Sequence, residues 1–261
     1  MRYGSGIGKM KAVFAVVLVL ATLGVTAAGG FVWVLHYYGR GLPDYKQLAT
    51  YRPPMMTRVH AGDGRLLAEF AREKRVFVPI EAIPKRIVNA VLSAEDKTFY
   101  DHPGIDIPGI LSAMFTNALR FGSNRRPVGA STITQQVAKN FLLTNEVSIE
   151  RKIKEIILAF RIERAFTKQR ILELYLNEIY LGDGSYGIAA AALNYFNRSL
   201  DELTIAEAAF IAGLPKAPNN YNPAKRPRAA KARRDYVIGR MVENGYITAA
   251  EGEEAFAETV S

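Results

Sequence analysis

The segment AVFAVVLVLATLGVTAAGGFVWVL, residues 12–35, contains no charged side chain. As a helix rising 1.5 Å per residue it extends about 36 Å, enough to cross a hydrocarbon layer of about 30 Å. A run of this kind dictates the rest of the architecture, because whatever follows must fold beside a bilayer. A secretory leader has a shorter apolar region and a small-residue cleavage site, which VTAAGG loosely mimics. The apolar run nevertheless continues through Phe31, Trp33 and Leu35 to an aromatic rim at Tyr37 and Tyr38, which favours an uncleaved anchor. Arg2, Lys9 and Lys11 precede it, so the positive-inside bias keeps the N-terminus cytoplasmic and puts everything beyond about residue 40 outside.

This placement narrows what the charge balance means. Lys and Arg number 34 against 25 Asp and Glu, a formal net charge of +9, which favours an anionic partner. Nucleic acid, anionic lipid head groups and phosphate-bearing substrates all qualify on charge, but an external domain loses nucleic acid as a partner. With no cysteine, neither disulfides nor thiolate chemistry are available. His36, His60 and His102 lie too far apart for a dedicated zinc site. The 261 residues suffice for one substantial core with appendages.

Along the chain, residues 1–11 form a cytoplasmic tail, 12–36 the transmembrane anchor, and 37–83 a juxtamembrane linker followed by a β-hairpin. The linker, residues 40–56, shows little periodicity. Two alternating runs flank Asp63-Gly64, a two-residue hairpin signal, and a short strand is expected at Val76–Pro79. From Pro84 the pattern is helical almost throughout, interrupted by LRFGSNRRPVGAS (119–131), a loop of the length and composition of a lid. Thr132 with Gln135 and Thr204 with Glu207 are spaced as capping boxes, and Gly213 with Pro215 ends the latter helix. LELYLNEIYLG is apolar almost all round and marks a helix inside the bundle. The last amphipathic helix stops at Gly245.

Within this frame one carboxylate is out of place. Ile87, Val91 and their neighbours Val88 and Leu92 define an apolar stripe that continues through Glu95, Phe99 and His102 to a stop at Pro103-Gly104. An unpaired buried charge is costly, so Glu95 is paired, at the edge of a cleft, or used in chemistry. Four further features accompany it. GASTITQQ gathers hydroxyls and two adjacent amides at a helix start, fitting an anion or sugar-hydroxyl site or simple capping. Lys139, with Arg125 and Arg126 in the preceding loop, suits a diphosphate or a solvated basic surface. In RKIKEIILAF, Ile149, Ile153, Ile156, Ile157 and Phe160 form the main apolar face, leaving Glu155 beside Arg151, Leu158 and Ile162 in what could be an ordinary i,i+4 pair. Asn177 is an amide in a buried helix and must find partners there.

In order, EDKTFYDHPGID, GASTITQQVAKN, RKIKE, RILELYLNEIYLG and YGIAAAALNYF resemble the successive motifs of the peptidoglycan glycosyltransferase (transglycosylase) family, over about residues 58–247. That family comprises class A penicillin-binding proteins and monofunctional transglycosylases. The resemblance implies a mainly α, lysozyme-like helical glycosyltransferase domain at 84–247, with a small N-terminal β-hairpin element and one transmembrane helix. It implies an enzyme that polymerises lipid II into glycan strands, inverting the anomeric centre and releasing undecaprenyl diphosphate. By motif position, Glu95 is the catalytic base and Glu155 the second catalytic carboxylate on the diphosphate side. Ser131, Thr132, Gln135, Gln136, Lys139, Arg151, Lys152 and Asn177 fall among substrate-binding positions, with Asp96, Phe99, His102 and Tyr195 as support for the walls. No cofactor is required, and a divalent cation (Mg or Mn) at the diphosphate is compatible. Partners are lipid II, the growing strand and membrane lipid, without nucleic acid. The expected location is the inner membrane, single-pass, with the catalytic domain periplasmic.

The chain departs from the family pattern in two places. Some relatives carry an Arg eight residues before the second Glu, where this chain has Val147, so diphosphate binding leans on Lys139, Lys152 and the Arg125-Arg126 loop. No S-x-x-K or K-T-G signature of a penicillin-reactive half occurs, yet MVENGYITAAEGEEAFAETVS resembles the lead-in to one, so 248–261 reads as the start of a linker to a missing C-terminal region. A lysozyme-like lytic enzyme that cuts glycan strands and a non-catalytic cell-wall assembly scaffold are the alternative readings.

Overall fold

The computed structural model describes residues 5–51, 57–60, 66–70, 74–120, 129–144, 146 and 148–259. The apolar run is one helix, α1 (Ser5–Gly39), of which Val13–Gly39 is long and apolar enough to cross a membrane. Its last turn stands against the protein body, where Arg161 donates to the Gly39 carbonyl at 3.3 Å. The segment that follows is ordered by local chemistry rather than by periodicity. Asp44 caps a 3-10 turn (Tyr45–Ala49) by accepting from the Lys46 amide, and Leu48 is wholly buried. Arg170 then donates to the carbonyls of Leu48, Ala49 and Tyr51, so the connection to the anchor is fastened to the domain.

Strands β1 (Thr57–His60) and β2 (Leu66–Phe70) pair antiparallel with Thr57 opposite Phe70, as the alternation requires; the Asp63-Gly64 turn lies outside the described residues. The strand expected at Val76–Pro79 is displaced. Only β3 (Lys74–Arg75) pairs, in parallel with β4 (Ser185–Tyr186). Beyond it the extended chain takes a side chain in place of a strand: Asn177 Oδ1 accepts from the Val78 amide and Asn177 Nδ2 donates to the Val78 carbonyl, both at 2.8 Å.

The body is helical: α2 (Lys85–Glu95), α3 (Ile107–Leu119), α4 (Ile133–Leu142), α5 (Ile149–Ala165), α6 (Lys168–Glu178), α7 (Ile188–Phe196), α8 (Ile205–Gly213), α9 (Pro227–Glu243) and α10 (Ala249–Ala257). Helix α6 is buried from Ile171 through Asn177, as expected of a helix apolar on every side. Ala206, Ala208, Ala209 and Ala212 bury α8, whose small side chains let α2 and α9 pack closely on it. Both expected capping boxes form, at Thr132–Gln135 and Thr204–Glu207. Gly187 is left-handed at φ +80°, and a Cβ there would stand 2.6 Å from the Asn177 carbonyl, so only glycine lets the chain enter α7 so close to α6.

Three expectations need correction. The stripe through Glu95 does not continue as helix to residue 102: α2 ends at Glu95, and Phe99 and His102 reach the interior from a turn. The cause is Asp96, whose carboxylate accepts from the Ile133 amide at the start of α4 and from the His102 ring, which draws the chain out of the helix. Second, α5 buries Glu155, Ile157, Leu158, Ala159 and Ile162, while Ile149 is 83% exposed and Phe160 36%. Of the face expected to be the core, only Ile157 is buried, and its two ends, Ile149 and Phe160, lie outside. Third, residues 249–257 form a helix rather than a linker. Ala255 is buried, and Arg234 donates to the carbonyls of Phe256 and Glu258, which closes α10 onto the body.

Candidate active site

A cleft of about 860 Å³ opens where α2 ends, α4 begins and α5 and α9 pass. Glu95 occupies the last position of α2, so its carboxylate leaves the helix at the cleft wall with 12% of its side chain exposed. Gln136 Nε2 donates to Glu95 Oε2 at 3.0 Å, and Arg233 Nη2 stands 3.4 Å from Oε1. Burial raises the Glu95 pKa above its ordinary value, more than the Gln136 hydrogen bond and the charges of Arg233 and Lys216 lower it; Asp96 adds to the rise. Of the two adjacent carboxylates, Glu95 is the one that lines the cleft. Asp96 is spent on structure, between Ile133 and His102.

The far part of the cleft has the opposite character. Glu155 is buried and both of its oxygens are occupied, Oε1 by Arg151 and Oε2 by Lys152 at 2.9 Å. Lys152 Nζ also donates to Ser131 Oγ at 2.8 Å, linking α5 to the segment before α4. The result is a carboxylate that lines the cleft together with Ser131, Gln135 and Lys139 and holds two cations, Arg151 and Lys152, that do not themselves line it. Chemically, one end of the hollow can accept a proton and the other can receive negative charge. The donor set does not fit a protein-held divalent ion. Both Glu155 oxygens face cations, and among the described residues no three His, Asp or Glu side chains converge.

The other singled-out residues sort by place. Thr132 is buried, its hydroxyl donating to the Gly104 carbonyl at 2.7 Å and accepting from the Gln135 amide; it builds the start of α4 without lining the cleft. His102 accepts from the Gly104 amide through Nδ1, which leaves Nε2–H for Asp96. Phe99 is wholly buried under Lys168, whose Nζ lies 4.4 Å from the ring centre. Tyr195 donates to the Leu181 carbonyl at 3.0 Å, with its pKa pushed up to about 12 chiefly by burial. Asn177, expected among the binding positions, is not at the cleft; its amide is spent on Val78 and on the Glu173 carbonyl. Arg125, Arg126 and Val147 lie outside the described residues.

Sequence reasoning passed over the wall supplied by Lys216, Tyr221, Arg233 and Tyr236. A signal for it existed. Arg233 falls four residues before Val237 and eight before Met241, both wholly buried, the same charged-residue-in-an-apolar-stripe pattern that marks Glu95. Its Nε donates to the Gly213 carbonyl at 3.0 Å, and its guanidinium lies 4.9 Å from the Tyr236 ring centre.

Comparison with known proteins gives the family. Residues 63–242 match the family described as Transglycosylase. Penicillin-binding protein 1A of Rickettsia felis is 56% identical over 94% of this chain and 31% of its own length, and that of Aquifex aeolicus is 46% identical over 91% and 33%. A 2.6 Å crystal structure of penicillin-binding protein 1A from Haemophilus influenzae is 27% identical, covering 81% of this chain and 21% of that one, with a TM-score of 0.47. The chain thus spans about a third of the length of the curated relatives it matches. With the family match spanning both Glu95 and the Glu155 cation group, the chain belongs to the transglycosylase family and corresponds to the transglycosylase portion of penicillin-binding proteins 1A.

Proposed function

We propose that this chain is a membrane-anchored peptidoglycan glycosyltransferase that polymerises lipid II into glycan strands. The observation that carries the reading is the cleft lined by the largely buried Glu95, by Lys139 and by Glu155, which holds Arg151 and Lys152. Glu95 removes the proton from the 4-hydroxyl of the acceptor sugar as that oxygen attacks the anomeric carbon of the donor. The bond from that carbon to the diphosphate oxygen breaks with its electron pair, and the centre inverts in one in-line displacement. Charge growing on the departing diphosphate meets Lys139 in the cleft and the cations Arg151 and Lys152, which Glu155 holds in advance so that little reorganisation is needed during the reaction. Ser131 and Gln135 orient the sugars and phosphates between the two ends. The raised pKa of Glu95 brings it closer to the working pH, where a general base is most effective.

Substrate delivery supports the same reading. Ile107, Leu111, Met114, Phe115 and Leu119 form an exposed apolar stripe on α3, and Ile149 and Phe160 are exposed on α5, the helix against which α1 ends. Exposed apolar surface of this extent beside an anchor belongs at a membrane, which is where a polyprenyl-linked sugar must be met. The N-terminus lies on the cytoplasmic side and the domain outside, by the charges at Arg2, Lys9 and Lys11.

Detergent-solubilised protein incubated with lipid II tests the proposal. A ladder of glycan products with wild type and none with Glu95→Gln is expected. Loss of preformed glycan instead would identify a lytic enzyme, and binding without turnover would identify a scaffold; either would end the reading.

A further inference from the structure

Behind Gln136 lies a group that the cleft does not contain. Tyr175 of α6 is only 1% exposed, and its hydroxyl stands 3.4 Å from Gln136 Oε1. Gln136 therefore joins two side chains, with Tyr175 at its oxygen end and Glu95 at its nitrogen end. A carboxamide is asymmetric, and only one orientation suits an ionised Glu95, with the NH₂ toward the carboxylate. The reverse would set the amide oxygen against a carboxylate oxygen. A hydroxyl donates or accepts, so Tyr175 completes the productive orientation by donating to Oε1. Burial, then the nearby charge of Glu95, raises the Tyr175 pKa well above its ordinary value, which keeps that proton in place.

We propose that Tyr175 is a positioning residue for the base: through Gln136 it fixes Oε2 of Glu95 and so keeps Oε1, which stands beside Arg233, at the cleft for the reacting hydroxyl. The inference rests on the reading of Glu95 as the base. The groups that face Glu95 are Gln136 from α4, Arg233 from α9, Lys216 from the turn after α8, its neighbour Asp96, and Tyr175 from α6. Gln136, Arg233 and Lys216 line the cleft and can touch substrate; Tyr175 does not line it and acts on Glu95 only from behind.

Tyr175→Phe keeps the ring and removes only the hydroxyl, leaving the Gln136 oxygen without its buried donor. The amide then turns more freely and Glu95 loses part of its held donor, which disfavours the ionised form. In the full chain in detergent micelles, the Glu95 carboxyl can be titrated by carbon-13 NMR and assigned by its loss in Glu95→Gln. The expected result is a midpoint raised by about half a pH unit. The acid limb of the rate profile should move the same way, with kcat lowered about three- to tenfold and KM within about twofold. In a Gln136→Ala background, Tyr175→Phe should leave the Glu95 titration unmoved, because the connecting amide is gone. An unmoved midpoint in the single variant, or the same shift with and without Gln136, would overturn the proposal. The titration reads the carboxyl whether or not lipid II is polymerised, so failure of the functional reading and failure of this one are separately visible.

Discussion

Asn177→Ala separates a structural amide from a binding one. Three hydrogen bonds leave with the side chain: from the Val78 amide at 2.8 Å, to the Val78 carbonyl at 2.8 Å and to the Glu173 carbonyl at 2.9 Å. The Glu173 carbonyl lies inside α6 and keeps its place in the helical ladder, so its loss is small. Val78 is different, since both of its backbone groups lose their partner. A buried polar group stripped of its partner costs about 1–3 kcal/mol, and Val78 is half-buried, so the lower part of that range applies to each group. The sum is about 2–3 kcal/mol. For a chain of this size that lowers Tm by roughly 4–12 °C, readable by circular dichroism in detergent. The Val78 amide should also exchange its hydrogen roughly 30- to 140-fold faster, since each 1.4 kcal/mol is a factor of ten. With Asn177 away from the cleft, KM for lipid II should stay within about twofold. A Tm within about 1 °C of wild type, together with a severalfold rise in KM, would refute the assignment and return Asn177 to the substrate.

Other perturbations follow from the same geometry. Glu95→Gln should gain Tm over wild type at neutral pH and lose that gain as the pH falls: the folded pKa is raised, so the folded state holds the proton more tightly than the unfolded chain, and ionisation above the folded pKa costs stability that is recovered towards the ordinary value of 4.5. A pH-independent Tm difference would contradict this. Glu155→Gln leaves Arg151 and Lys152 without the charge that fixes them, and should lower kcat roughly ten- to hundredfold in the lipid II assay, with unaltered turnover as the refuting result. Gly187→Ala must relieve both a positive φ and a 2.6 Å approach to the Asn177 carbonyl, and should cost about 2 kcal/mol or more in denaturant unfolding; a change below about 0.5 kcal/mol would show that the backbone accommodates the methyl.

What the sequence made legible divides along physical lines. Local signals held: the capping boxes at Thr132 and Thr204, the buried stretch 171–177 of α6 and the end of α9 all depend on interactions within a few residues. The carboxylate on the apolar stripe at Glu95 was legible for the same reason, because burial of the stripe carries the charge inward. The linker at 40–51 was not, since its order comes from Arg170, more than a hundred residues distant, binding its carbonyls. Nor was the strand at Val76–Pro79, whose partner is one side chain of α6 and not a strand.

Helix α5 shows most clearly why periodicity and function parted. It carries two apolar faces, one with Ile149 and Phe160 and another with Leu158 and Ile162, and a count of isoleucines selects the first. A count of apolar residues assumes water on the other side. Beside a membrane anchor that assumption fails, because an apolar face can remain outside the core without facing water. The core then takes the face that includes Glu155, and the carboxylate must be compensated where it lies. Arg151 one turn earlier and Lys152 supply the compensation, and Lys152 extends it to Ser131. The pair that resembled a routine surface contact is therefore a buried, doubly bound charge, on the face of the helix away from the exposed Ile149 and Phe160.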